Sequence, residues 1–394
     1  MKTTAFRLLA ILLAAAMFAM IPAGCGTQPV PQTTQESPRE EQQPPSGEEQ
    51  PAPEGVTYPY TVTDQAGRNV TIEKKYERVA FSSVRPLPAA YFAVTGNIDT
   101  LVGMNPSSLT AAQVSMFSVL CPEILSVETG FVTGNETNIE ELMKLNPEIV
   151  FCLNTNSDEI TALEAVGITA VGLETNGTDA IEIFAQWAEL IGQVMGEQNR
   201  AAEIIDYSRE VAQQVKTIAA TIPQNERKTA LFLYQDEGGT IRVGGSNLYS
   251  QYWIETIGAV NAAAGVNNVA EVSMEQIMSW NPEYIFITNF TTVQPDDLLG
   301  NKIEGQDWSQ IKAVKDGNVY KNPLGTYRWF TPTSDSALML KWVAQKVYPD
   351  YYNSYDIVQE VKDHYQTYYG YALNEKELEM IFKPSSDAAY YIKN

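Results

Sequence analysis

Histidine is nearly absent: His364 is the only one in 394 residues. A zinc site built on two or three imidazoles is thereby excluded, as is a histidine-rich site for free metal. His364 falls in a polar, aromatic stretch near the C-terminus and is expected at the surface. Cysteine is scarce too, at Cys25, Cys121 and Cys152. Two residues do not fix a disulfide between Cys121 and Cys152, and two packed thiols are at least as well expected. Positive charge is in short supply: 26 Lys and Arg against 48 Asp and Glu leave a net charge of −22. Neutralising nucleic-acid phosphates needs a basic face, so that partner class is excluded. Long apolar runs are missing beyond Leu8 to Ile21, which is short of the roughly 20 residues of a membrane span.

That one run has a context. Lys2 and Arg7 precede it, and Pro22-Ala23-Gly24-Cys25 follows, a signal-peptide layout with small residues before a cysteine. The cysteine context resembles a bacterial lipobox, with Pro22 where Leu is usual. It implies cleavage after residue 24 and diacylation of Cys25; the alternative is an ordinary signal peptide with Cys25 a free thiol. Residues 26–57 then carry seven prolines and six glutamates against Arg39. With so little apolar surface to bury, residues 25–57 read as a lipidated cysteine and a disordered tether, reaching on the order of 100 Å if extended.

Residues 58–394 are too many for one core and fit two lobes. Tyr60 to Asp64 and Asn69 to Ile72 alternate around Ala66-Gly67 and predict a hairpin. Short apolar runs at 78–81, 100–103, 148–152 and 170–172 then alternate with helical stretches, which implies a mostly parallel sheet covered on both faces. The same alternation returns after Lys228, with strands at 229–234, 241–243, 283–288 and 319–321. Between the two, Glu197 to Ile222 holds no Gly or Pro and bears an apolar stripe through Ala201, Ile204, Ile205, Val211, Ala212 and Val215. A helix of this length suits a rod between lobes. The expected divisions are 58–195, a connecting helix at 196–223, 224–350, and a helical extension at 351–394.

An internal repeat supports two lobes of similar build. Asn138 to Phe151 can be laid on Ser273 to Phe286 at an offset of 135 residues, with six of fourteen positions identical. In each copy Asn138 or Ser273 is a helix N-cap, with Glu141 or Gln276 its capping-box partner. Asn146-Pro147 or Asn281-Pro282 then ends the helix and a buried strand begins.

These segments, together with Thr63-Asp-Gln-Ala-Gly67-Arg68 and the stretch from Ile311 through Ala313-Val-Lys-Asp-Gly317 to Tyr320, resemble the substrate-binding proteins of ABC importers for ferric siderophores, haem and cobalamin. The resemblance covers about 58–350. It implies an α/β fold of two doubly wound lobes joined by one long, rather rigid helix, with the ligand in the cleft between them. It also implies that a glutamate in each lobe, here Glu140 and Glu275, meets an arginine of a permease subunit, with Glu136 the runner-up in the first lobe. The expected partners are a permease dimer, a small metal chelate and, through Cys25, the membrane. No cofactor is expected, the ligand being the ferric chelate.

In doubly wound sheets ligands lie beyond the strand C-termini. The loops there offer Arg85, Arg242 and Arg328 to an anionic chelate and Phe131, Tyr234, Tyr327 and Trp329 to a flat or aromatic one. A ferric siderophore is the leading ligand, a corrinoid or haem the alternative, and a lipid-anchored adhesin a remoter one. The single histidine and the absence of a spaced carboxylate pair speak against an enzyme.

Overall fold

The computed structural model describes residues 57–134 and 136–389, which fall in one unit of the chain. The expectations for Cys25 and the tether lie outside the described residues. The first described element is the hairpin of β1 (Tyr60–Thr63) and β2 (Asn69–Ile72), with Val62 opposite Val70. Its turn is clasped by Asp64. One carboxylate oxygen accepts from the Ala66 and Arg68 amides; the other accepts from the Arg68 guanidinium and from the Gly172 amide at 2.9 Å. The Thr-Asp-x-x-Gly-Arg sequence is thus a fastener between the hairpin and the first sheet.

The first lobe continues with β3 (Val79–Phe81), α1 (Leu87–Thr95), β4 (Leu101–Gly103), α2 (Pro106–Gln113) and α3 (Met116–Leu120). After a short pair, β5 (Val132–Thr133) and β6 (Glu136–Thr137), come α4 (Ile139–Met143), β7 (Ile149–Leu153), α5 (Ser157–Ala165) and β8 (Thr169–Leu173). The sheet is wholly parallel in the order β4-β3-β7-β8, the order expected when the chain winds outward from a central first strand. Its strands are apolar along their length because both faces are covered.

Two helices follow, α6 (Ala180–Met195) and α7 (Gln198–Ala219), parted at Gly196 in the left-handed region. They approach closely: a Cβ on Gly192 would stand 2.7 Å from that of Ala201. The helix α7 is the expected rod, about 33 Å long by its 22 residues. Its first half packs Ala201, Ile204 and Ile205 into the first-lobe core, and its second half packs Val211, Ala212 and Val215 into the core of the second.

The second lobe holds β9 (Thr229–Glu237), β10 (Thr240–Gly244), α8 (Tyr249–Thr256), β11 (Val260–Asn261), β12 (Val269–Val272) and α9 (Met274–Trp280). It closes with β13 (Tyr284–Ile287), α10 (Pro295–Leu299), α11 (Lys312–Lys315), β14 (Val319–Lys321) and α12 (Ser336–Val347). Here β9, β13 and β14 run parallel, and β10 runs against them, pairing antiparallel with both β9 and β12. The β9–β10 turn uses Gly238 and Gly239, both at positive φ, a geometry only glycine adopts readily at two successive positions.

The C-terminal extension is two helices, α13 (Ile357–Tyr369) and α14 (Glu375–Phe382). It spans both lobes. Val361, Tyr365 and Ile381 lie in the second-lobe core, while Tyr368 and Tyr369 pack on the first. The Arg200 guanidinium of α7 donates to the Tyr368 carbonyl, and the Leu324 amide to that of Ile381. The surface position expected of His364 is corrected by this packing. Val361, His364, Tyr365 and Tyr368 share one helix face at 3.6-residue spacing, and that face is turned inward. The imidazole is fully buried, 3.3 Å from the Asp335 carboxylate. Cys121 and Cys152 are separate buried thiols.

Candidate ligand cleft and docking carboxylates

The two copies of the repeat fold alike. Asn138 caps α4 by accepting from the Glu141 amide, and Ser273 caps α9 by accepting from that of Gln276. The reciprocal half of a capping box is not made in α4, because the Glu141 carboxylate pairs with Lys144. Asn146 and Asn281 both take the left-handed conformation ahead of their prolines. The glutamates after those prolines do matching structural work. Glu148 accepts from the Glu77 and Arg78 amides at the start of β3, and Glu283 accepts from the Thr229 amide at the start of β9.

Glu140 and Glu275 sit one position into their helices and are exposed. The Ser273 hydroxyl, then the helix amide, holds the Glu275 carboxyl below its ordinary range. Neither glutamate is needed for its cap. Sequence reading missed their neighbours: Met143 and Met278, equivalent in the repeat, are 44% and 38% exposed. Each stands three residues after its glutamate, on the same side of the helix. Identity at both positions was the available signal, hidden because a methionine in an amphipathic helix reads as core. Glu136 lies outside this pair of matched positions, in β6.

Between the lobes lies a cavity of about 480 Å³. The first lobe contributes Ser83, Arg85 and Pro86 after β3, Asn156 after β7 and Thr175 after β8. The second contributes Tyr234 and Phe290 beside the ends of β9 and β13, with Tyr249 and Tyr327. These are strand C-terminal ends, as expected for a wound sheet. Trp187 of α6 closes one side. Arg85 is the one charged side chain among the described residues that line it; no carboxylate does. Tyr234 and Phe290 stack with centroids 4.9 Å apart, and burial pushes the Tyr249 phenol up to about 12, so it stays neutral. The cavity is therefore cationic and aromatic, within the size range of small-ligand sites.

Of the side chains expected there, Arg85, Tyr234 and Tyr327 line the cavity, and four others do not. Phe131 is buried against Gly103, where a Cβ would come within 2.7 Å of its ring. Trp329 is fully buried and donates its indole N–H to Asp335 at 3.0 Å. Arg242 extends from β10 to Gln235 at 2.8 Å, its alternating neighbours Ile241 and Val243 being buried. Arg328 is 1% exposed and backs the cavity wall: its guanidinium lies 5.3 Å from the Phe290 ring and 5.4 Å from that of Tyr327, and donates to the Asn289 and Ala388 carbonyls. Sequence reading also missed Trp187, whose helix gave no sign of reaching the cleft.

Two α/β lobes on a shared helix, with a ligand cavity between their strand ends, define the class of solute-binding proteins. The chain belongs to the periplasmic binding protein family, whose model matches residues 99–323. It is an extracytoplasmic solute-binding protein of an ABC importer. It is similar to a periplasmic solute binding protein from Veillonella parvula of known crystal structure, at 32% identity and a TM-score of 0.77, over 83% of this chain and 98% of that one. It is 26% identical to the molybdate-binding protein MolA of Haemophilus influenzae, over 78% of this chain and 90% of that protein. The iron(3+)-hydroxamate-binding protein FhuD of Bacillus subtilis is 24% identical over 49% of this chain and 61% of its own length. By their names these relatives are binding proteins.

Proposed function

We propose that the cleft captures an anionic metal chelate, a ferric siderophore foremost, and that the protein delivers it to the permease dimer of an ABC importer. The observation that carries this reading is the lining itself: among the described residues, one guanidinium, Arg85, lines a cleft walled by Tyr234, Tyr249, Phe290, Tyr327 and Trp187. A guanidinium on the wall of an aromatic cleft favours an anion, and the rings favour a ligand with an organic, planar surface. The iron(3+)-hydroxamate relative supports the same chemistry. Corrinoid and haem are the alternatives within the class.

A second reading has its own support. The likeness to a molybdate-binding protein, with Ser83, Arg85 and Thr175 on one side of the cavity, fits a small oxyanion held by short polar donors. A thermal-shift screen of ferric hydroxamates, ferric citrate, haem, cobalamin and molybdate separates the two, since only a bound species raises the midpoint. Stabilisation by molybdate alone would replace the chelate reading.

Delivery rests on Glu140 and Glu275. Each exposed carboxylate, with Met143 or Met278 beside it, forms a charged and apolar contact suited to an arginine on each of two permease subunits. Diacylation of Cys25 keeps the head near that permease. Mass spectrometry of the native protein tests the anchor, and an unmodified Cys25 would contradict it.

A further inference from the structure

A second cavity, of about 660 Å³, lies where the C-terminal extension covers the second lobe. Its apolar walls come from Tyr320 of β14, Trp342 of α12, Val358 of α13 and Phe382 of α14. The two rings of Tyr320 and Trp342 meet edge to face at 6.2 Å. Two lysines also line it. The Lys321 ammonium is buried and donates to the Thr291 and Val293 carbonyls at 2.7 and 2.8 Å. The Lys346 ammonium lies 5.1 Å from the Tyr320 ring centroid.

Neither lysine belongs to the ion pairs that other lysines make among the described residues. A buried ammonium ordinarily finds a carboxylate, because desolvation is otherwise uncompensated. In a chain with 48 acidic residues against 26 basic ones, a buried and a half-buried lysine outside any direct ion pair in a single cavity are unexpected. Of the lining residues only Asp296 is acidic; Lys383 also lines the cavity but pairs with Glu379 at 3.3 Å, and from outside the lining Asp297 and Arg328 act on Lys321 with opposite signs.

We infer that this cavity is a second ligand site, for a small aromatic carboxylate or sulfonate whose anionic group meets Lys321 and Lys346 and whose ring packs among Tyr320, Trp342 and Phe382. The anion supplies a direct counter-charge to the lysines, and the rings supply the apolar contact. Burial lowers the Lys321 pKa to about 7 and that of Lys346 in the same direction. A bound anion favours the charged amines, so binding takes up a proton. Affinity is full below the free-state pKa and falls as pH rises through about 7.

The test is a fluorescence titration of the full chain with 8-anilinonaphthalene-1-sulfonate, followed by displacement with benzoate. The inference expects saturable, benzoate-sensitive binding that weakens roughly tenfold from pH 6 to pH 9. Lys346→Met should weaken it several-fold at pH 6. Val358→Trp, a change at a partly exposed position on the cavity wall, should abolish it, and Arg85→Ala in the cleft should leave it unchanged. Binding that survives both Lys346→Met and Val358→Trp, that is lost in Arg85→Ala, or that benzoate does not displace would overturn the inference.

Discussion

The ring of Tyr369 lies on that of Phe92, centroids 5.4 Å apart and planes within 7° of parallel. One residue is in the C-terminal extension and the other in the first lobe, while Tyr365, one turn back, is buried in the second. The extension is thus an integral brace between the lobes. Its Tyr369 hydroxyl also reaches Ser334 at 2.7 Å. Tyr369→Ala should cost about 2 to 4 kcal/mol by chemical unfolding, from lost packing and a lost hydrogen bond. A loss below about 0.5 kcal/mol would show that the contact is peripheral.

Arg328 should behave as a structural residue. Its burial and its bonds to the Asn289 and Ala388 carbonyls mean that Arg328→Ala leaves two acceptors unpaired and a void behind Phe290 and Tyr327. The expected loss is roughly 3 kcal/mol or more in urea unfolding. Unchanged stability with lost ligand affinity would return Arg328 to the ligand-contact role that the sequence suggested.

Lobe motion should be small. The rod α7 is embedded in both cores and braced by the extension, so closure has to bend a packed helix. Small-angle scattering with and without ligand should give nearly the same radius of gyration. A contraction of the size seen in hinge-closing proteins would rule out a rigid connector.

Docking should separate from capture. Glu140→Ala and Glu275→Ala should each reduce uptake by tenfold or so while leaving ligand affinity and stability nearly unchanged, since the caps rest on Asn138 and Ser273. Met143→Gln and Met278→Gln should reduce uptake less. Normal import by either alanine variant would remove that glutamate from the docking contact; loss of ligand affinity in parallel would place it elsewhere.

The regular elements were legible because their signals are periodic. The hairpin, the alternating strands and the α7 stripe each follow from spacing, and Asn146 and Asn281 mark helix ends through their prolines. The cleft was only half legible. In the loop from Thr326 to Phe330, Tyr327 faces the cavity while Arg328 and Trp329 turn into the core; an irregular backbone carries no period from which to tell them apart. His364 misled for a related reason: tyrosine-rich helices look polar, yet Tyr365 is buried and Tyr368 and Tyr369 pack against the first-lobe core. Arg242 was the avoidable error, since the alternation of Ile241 and Val243 already turned it outward.

Calorimetric titration of the wild-type head and of Arg85→Ala with a ferric hydroxamate tests the central claim most directly. The account predicts one site of micromolar affinity or better, quenching of Trp187 fluorescence on binding, and a loss of about 1.5 to 3 kcal/mol in the variant, the worth of a charge-assisted contact. Binding unaffected by Arg85→Ala, or no binding to any ferric chelate while molybdate binds, would contradict it.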